Sequence, residues 1–131
     1  MKKLVGESRC IPLLIKLLEV KAKEVREVAA QALASLMTLG CNAREVKQDA
    51  RSVTNLVQLL DPSAQNTAKK YAVCCLVGLS SCKKCRKVMT SYGAIGYLKK
   101  LMEMDIIGSK KLLETLQRGK FRSLLGKIVL V

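Results

Sequence analysis

The stretch CIPLLIKLLE, residues 10–19, places isoleucine and leucine at the spacing of one face of an α-helix. Two similar stretches follow it, SVTNLVQLLD at residues 52–61 and AIGYLKKLMEM at residues 94–104. Their apolar positions align at a constant offset of 42 residues, so that Leu14, Leu56 and Leu98 form one series. A constant offset between amphipathic segments indicates an internal repeat rather than three unrelated helices.

Longer helical patterns follow the amphipathic segments. Residues 23–37, KEVREVAAQALASLM, carry one apolar stripe that includes Val28 and Leu33, and residues 67–80 repeat it at an offset of 43. A shortened third copy, SKKLLETLQRG, occupies residues 109–119. Shorter helical segments at residues 42–50 and 83–93 precede the second and third amphipathic segments. Three helices in roughly 42 residues predict an all-α superhelix, or solenoid, whose units bury their apolar faces against their neighbours.

The repeat pattern predicts a single domain, residues 1–131, of about two and a half to three repeats. Repeat one, which lacks its first helix, spans 1–40, repeat two spans 41–81, and repeat three with a C-terminal cap spans 82–131. We therefore expect either a piece of a longer solenoid or a truncated one. Its N-terminal side chains Leu4, Ile11 and Leu14 are expected to be poorly covered, which would favour self-association.

The composition is that of a helical protein with a strong positive charge. Half of the residues are apolar but only 3% are aromatic, which favours helix packing over a β-sandwich. The formal net charge is +14, and residues 83–131 contribute most of it, with 12 basic and 3 acidic residues. This charge predicts an acidic partner, although a basic face that only maintains solubility is the alternative. No signal peptide or membrane span is recognisable, so we expect a cytoplasmic or nuclear protein whose six cysteines are reduced.

A more specific pattern runs through the first repeat. It consists of a glycine, an Ile-Pro pair opening the second helix, a Leu-Leu pair closing it, and Ala-x-x-Ala-Leu-x-x-Leu in the third helix. The residues are Gly6, Ile11, Pro12, Leu17, Leu18, Ala29, Ala32, Leu33 and Leu36, and Gly93, Ala94 and Ile95 repeat the opening. In these features the chain resembles armadillo-repeat proteins. Its closing stretch, residues 97–125, is similar to the C-terminal end of plant members of that family.

The resemblance implies where a partner would bind. In armadillo proteins the third helices line a concave groove, and the exposed positions between their apolar residues meet the partner. Importin-type members bind basic nuclear-localisation peptides with Trp and Asn, which this chain lacks at the matching positions, among them Gln31 and Ser35. We therefore expect a non-catalytic scaffold that binds an acidic or amphipathic protein segment. The expected partner-binding residues are Glu27, Gln31, Ser35, Lys70, Cys74, Gly78, Lys111, Thr115, Arg118 and Arg122.

The alternative function is association with a polyanion, either nucleic acid or an anionic membrane surface. The basic residues that would carry it are Lys83, Lys84, Arg86, Lys87, Lys110, Lys111, Lys120 and Arg122. Few aromatic side chains accompany them, so nucleic-acid binding would be largely non-specific and strongly salt-dependent. For a membrane, the apolar residues of the tail, 124–131, could lie in the interface beside Lys127.

One local motif has chemical potential, the Cys-x-x-Cys of Cys82 and Cys85. A zinc site requires four ligands, and the chain has no histidine and no second cysteine pair at a matching spacing. The pair is interpreted as two small residues in a basic segment, with redox sensitivity as the open alternative because Lys83 and Lys84 favour a thiolate. Without histidine or a phosphate-binding glycine loop no reaction centre can be assembled, so neither catalysis nor a cofactor is expected.

Overall fold

The computed structural model describes residues 10–62 and 68–118, and in these residues every regular element is a helix. The prediction of an all-α solenoid is confirmed. The helices are α1 (Ile11–Leu17), α2 (Lys23–Leu36), α3 (Gly40–Gln48), α4 (Ala50–Gln58), α5 (Lys69–Leu79), α6 (Lys83–Ser91), α7 (Ala94–Glu103) and α8 (109–118, where the description ends).

Contacts between the helices repeat from one unit to the next. We name the units by the repeats predicted above, so that α1 and α2 belong to unit one, α3 to α5 to unit two, and α6 to α8 to unit three. The second helix of unit one, α1, packs against α3, and the second helix of unit two, α4, packs against α6. The second helices α1 and α4 also touch, and the third helices α2 and α5 pack side by side. This neighbour-to-neighbour arrangement is that of a helical solenoid.

Polar side chains close the helix ends at both junctions between units. Asn42 Nδ2 donates to the carbonyl of Leu36 at 2.9 Å, so a side chain of α3 satisfies the C-terminal end of α2. Arg86 Nη1 donates to the carbonyl of Ser80 at 2.7 Å, so a side chain of α6 does the same for α5. At the start of α4, the Asp49 carboxylate accepts from the Arg51 amide, as an N-cap residue does.

Two glycines occupy the turns of unit three in the left-handed conformation. Gly93, which the armadillo pattern places before the second helix, has φ +85° at the start of α7. Gly108 has φ +88° before α8, and a Cβ there would lie 3.1 Å from Cγ1 of Val73. The turn before α8 therefore sits directly against α5, which fixes where the third helix of unit three begins.

The core runs through all three units, but two sequence expectations about its edge are wrong. Ile11 was expected to be poorly covered at the N-terminal side, yet it is fully buried, and Leu14 is half-buried. Leu4 lies outside the described residues. Val28 was expected on the buried stripe of α2, yet its side chain is 63% exposed. The stripe of α2 is carried instead by Ala29, Ala30 and Leu33, because these residues face α1 and α5.

Candidate functional site

The third helices present the predicted binding positions to solvent. On α2, Gln31 and Ser35 are exposed and Glu27 is half-buried. On α5 and α8 the exposed residues are Lys70, Cys74, Gly78, Lys111 and Arg118, and Thr115 is half-buried. We call the surface that these positions form on α2, α5 and α8 the third-helix face. Arg122, the last of the predicted residues, lies outside the described part of the chain.

Packing brings the positions of α2 and α5 next to each other. The Cys75 thiol lies 3.8 Å from the Ala30 carbonyl between the two helices, and both residues are buried. Cys75 and Ala30 directly adjoin Cys74 and Gln31 in the sequence, so the exposed positions flank this contact. The approach of Gly108 to Val73 joins the beginning of α8 to α5.

Positive charge on the third-helix face lies in units two and three. Lys70, Lys111 and Arg118 are exposed on α5 and α8. Among the predicted positions on α2, the charged residue is acidic, Glu27. The Lys70 ammonium lies 5.0 Å from the ring centroid of Tyr71, a cation–π distance that holds the lysine along the helix. Its neighbour Lys69 is buried, and burial lowers the pKa of that amine while Asp61 opposes the shift. Only Lys70 of this lysine pair is therefore exposed for a partner.

Two of the predicted side chains already bond to their own helix. Thr115 Oγ1 donates to the Lys111 carbonyl at 2.9 Å, and Arg118 Nε lies 3.4 Å from the Glu114 carbonyl. The threonine hydroxyl is therefore occupied as a donor. Within residues 10–62 and 68–118, the hydrogen bond of Arg118 is made by Nε and not by its terminal guanidinium nitrogens, which are the atoms that bind a carboxylate in the forked arrangement.

The sequence interpretation missed two apolar residues on this face. Val28 is exposed three residues before Gln31, so the two side chains lie on the same side of α2. The methyl group of Met37, at the end of α2, lies 3.0 Å from where a Cβ of residue 78 would stand, so Met37 reaches over Gly78. The position of Val28 could have been found from its helical spacing to Gln31. The Met37 contact depends on how α2 and α5 pack, which the sequence does not specify.

The comparison with known protein families agrees with this geometry. Residues 1–38 match the family model of the armadillo/beta-catenin-like repeat, a range that includes α1 and α2. Residues 1–38 are thus similar to the armadillo repeat, and the described helices form an α-solenoid of the kind that such repeats build. A comparison with curated proteins found no match. Armadillo repeats generally mediate protein–protein interactions and typically serve as non-catalytic scaffolds.

A second exposed basic cluster of the chain lies on α6. Lys83, Lys84 and Lys87 are exposed, and α6 contains no acidic residue. Arg86, which the sequence grouped with them, is half-buried, and one of its terminal nitrogens bonds to the Ser80 carbonyl. Arg86 therefore stabilises the packing of α6 against the C-terminal end of α5. Lys110 and Lys111 on α8 are exposed, and Lys120 lies outside the described residues.

The described residues contain neither a metal-binding cluster nor a membrane-spanning helix. Within residues 10–62 and 68–118, no group of three or more His, Cys, Asp or Glu side chains could hold a metal ion. None of the helices in that part of the chain has both the length and the hydrophobicity that a membrane span requires.

Proposed function

We propose that this chain is an armadillo-type, non-catalytic scaffold that binds an acidic or amphipathic segment of a protein partner along the third-helix face. The observation that carries the proposal is the combination of side chains exposed there. Lys70, Lys111 and Arg118 supply positive charge, and Val28 supplies apolar surface on the same row of helices. A segment with acidic and apolar residues matches both features.

Small and apolar groups form the middle of the face. Cys74 and Gly78 are exposed on α5, and the Met37 methyl group lies over Gly78, so apolar surface continues from the end of α2 onto α5. Lys70 lies one turn before Cys74, where a carboxylate of the partner would be within its reach. A charged partner group held this way gains specificity and association rate more than raw affinity, because exposed ion pairs are weak.

The test is a nuclease-treated pull-down at one moderate salt concentration, read by mass spectrometry. It compares the native chain with a face variant, Lys70→Glu with Lys111→Glu and Arg118→Glu. The matched control carries Lys83→Glu, Lys84→Glu and Lys87→Glu on α6, which changes the net charge equally. All six residues are exposed, so neither variant removes a core contact.

The proposal expects a small set of partners that the native chain and the α6 control retain and the face variant loses. Equal loss from both variants would mean that net charge, and not the third-helix face, determines capture. Loss from the α6 control alone would move the binding site to α6.

A second candidate function, polyanion association, is favoured by one observation. The exposed lysines of α6 have no acidic neighbour within that helix. Binding of nucleic acid or anionic vesicles through them would fall steeply with salt, because it would rest on counterion release or screened attraction. We further propose a cytoplasmic or nuclear location, which the free state of the cysteines in residues 10–62 and 68–118 supports.

A further inference from the structure

Helix α6 brings the two cysteines of the Cys-x-x-Cys sequence to its N-terminal turn. Cys82 is the N-cap residue, with an extended backbone (φ −90°, ψ 121°), and Cys85 is the third residue of the helix. Residues three positions apart are neighbours on the same side of a helical turn. The two cysteines therefore lie next to each other on the first turn of α6.

The two thiols differ in exposure. Cys85 is only 3% exposed and belongs to the core, whereas Cys82 is partly exposed. Cys82 is therefore the more accessible cysteine of the pair to a molecule in solution. In thiol–disulfide exchange the accessible cysteine attacks first as the nucleophile, and the second cysteine then resolves the mixed disulfide.

The surroundings of Cys82 favour its thiolate. The pKa of Cys82 is lowered, and the backbone N–H of Cys85 is the largest cause. Partial burial opposes this shift, whereas the Cys85 thiol, the Lys84 N–H and the Lys47 ammonium add to it. Burial, followed by the contact with Cys82, raises the pKa of Cys85 to about 11. A thiolate at the surface beside a protonated thiol is the pairing that reacts with disulfides.

The entrance to the pair is positively charged. Lys83 and Lys84 are exposed between the two cysteines in the sequence, and Lys47 Nζ lies 3.3 Å from the hydroxyl of Ser81, the residue before Cys82. These charges attract an anionic reagent more than a neutral one. Glutathione disulfide, which carries carboxylates, belongs to that class.

We propose that Cys82 and Cys85 form a thiol–disulfide exchange site that is oxidised by an anionic low-molecular-weight disulfide such as glutathione disulfide. The Cys82 thiolate attacks one sulfur of glutathione disulfide, which forms a mixed disulfide and releases one glutathione thiolate. Cys85 then loses its proton to solvent and attacks the Cys82 sulfur, which releases the second glutathione. Two protein thiols are oxidised to one disulfide, and the external disulfide is reduced to two thiols.

The test exposes the full chain to glutathione disulfide, quenches the reaction with acid, alkylates the remaining thiols and maps them by mass spectrometry after trypsin digestion. Trypsin cleaves after Lys83 and Lys84, so Cys85 stays joined to the peptide of residues 71–83 only if a disulfide links them. Fragmentation of that peptide in the mass spectrometer then distinguishes Cys82 from Cys74 and Cys75, which it also contains. Cys41 and Cys74 are exposed cysteines outside the pair and serve as internal controls. The proposal expects joined Cys82 and Cys85 peptides before either control cysteine has reacted appreciably.

Two variants separate the steps. Cys85→Ala should accumulate a stable glutathione adduct on Cys82, because no resolving thiol remains, and Cys82→Ala should leave Cys85 unmodified. The proposal is overturned if the native chain keeps a stable adduct on Cys82 without forming the disulfide. It is equally overturned if Cys82 reacts no faster than Cys41 and Cys74. Both decisive outcomes are read in the native chain, so they do not depend on whether the variants fold.

Discussion

At the scale of the residue, one buried amide links the first two units. Asn55 Nδ2 on α4 donates to the Ile15 carbonyl on α1 at 3.1 Å, and the asparagine is 6% exposed. The positions one repeat before and after Asn55 are Leu13 and Tyr97, so this bond has no counterpart at an offset of 42 residues. The interface between α1 and α4 is thus specified by a residue that the apolar repeat pattern does not reveal.

We expect Asn55→Ala to destabilise the chain by about 1–2 kcal/mol, because a buried inter-unit hydrogen bond is lost. Gln58→Ala on the same helix is the control, since Gln58 is exposed and should change stability by no more than about 0.5 kcal/mol. Urea unfolding followed by circular dichroism measures both. Equal midpoints for the two variants would show that the Asn55 bond contributes nothing.

The glycines of unit three give a second test at this scale. Gly93 has φ +85° and open space where a Cβ would stand, so Gly93→Ala should cost about 1–2 kcal/mol from backbone strain alone. Gly96 lies within α7 and also has open space, so Gly96→Ala should stabilise the chain by up to about 1 kcal/mol. Thermal unfolding should therefore shift in opposite directions. A shift of the same sign for both would contradict the left-handed turn.

At the scale of the element, the apolar period predicted the helices better than it predicted which of their sides is buried. The offset of 42 residues placed Leu56 and Leu98 in the core, where both are fully buried. The stripe of α2 was drawn too wide, because Val25 and Val28 satisfy the helical spacing but both are exposed. Ile11 shows the opposite error, since its burial depends on tertiary packing that a periodic pattern does not contain.

The exposure of the proposed binding positions was partly predictable for the same reason. Exposed positions such as Gln31 and Lys70 follow from the helical period, because they alternate with buried residues. The contact of Met37 with Gly78 could not be predicted from the sequence, because it depends on how α2 and α5 pack. The placement of Cys82 and Cys85 in the first turn of α6 depends on where that helix begins.

Helix α2 allows a matched test of which side faces the core. We expect Leu33→Ala to cost about 2–5 kcal/mol, because Leu33 is fully buried and its removal leaves a cavity. Val28→Ala removes apolar atoms from the same helix at an exposed site and should cost no more than about 0.5 kcal/mol. Denaturant midpoints distinguish the two. A larger loss for Val28→Ala would mean that α2 is rotated about its axis relative to this account.

At the scale of the whole molecule, two exposed regions that contribute to the net charge of +14 have different expected behaviour. The third-helix face combines Lys70 and Lys111 with the apolar Val28, which suits a protein segment. The α6 lysines have no exposed apolar neighbour within their helix, since Cys85 and Met89 are buried and Val88 is half-buried. Specific protein binding and general polyanion attraction are therefore expected at separate places on one chain.

Site-specific photo-crosslinking tests the central claim most directly, because it locates the partner without changing the charge of neighbouring residues. A photoreactive amino acid is placed at Gln31 or Lys111 on the third-helix face, or at Lys87 on α6, and each chain is irradiated in nuclease-treated lysate. All three positions are exposed, so each variant should fold. The account predicts that Gln31 and Lys111 crosslink to the same protein and that Lys87 does not. Crosslinking of that protein from Lys87 alone would contradict the third-helix face as the binding site.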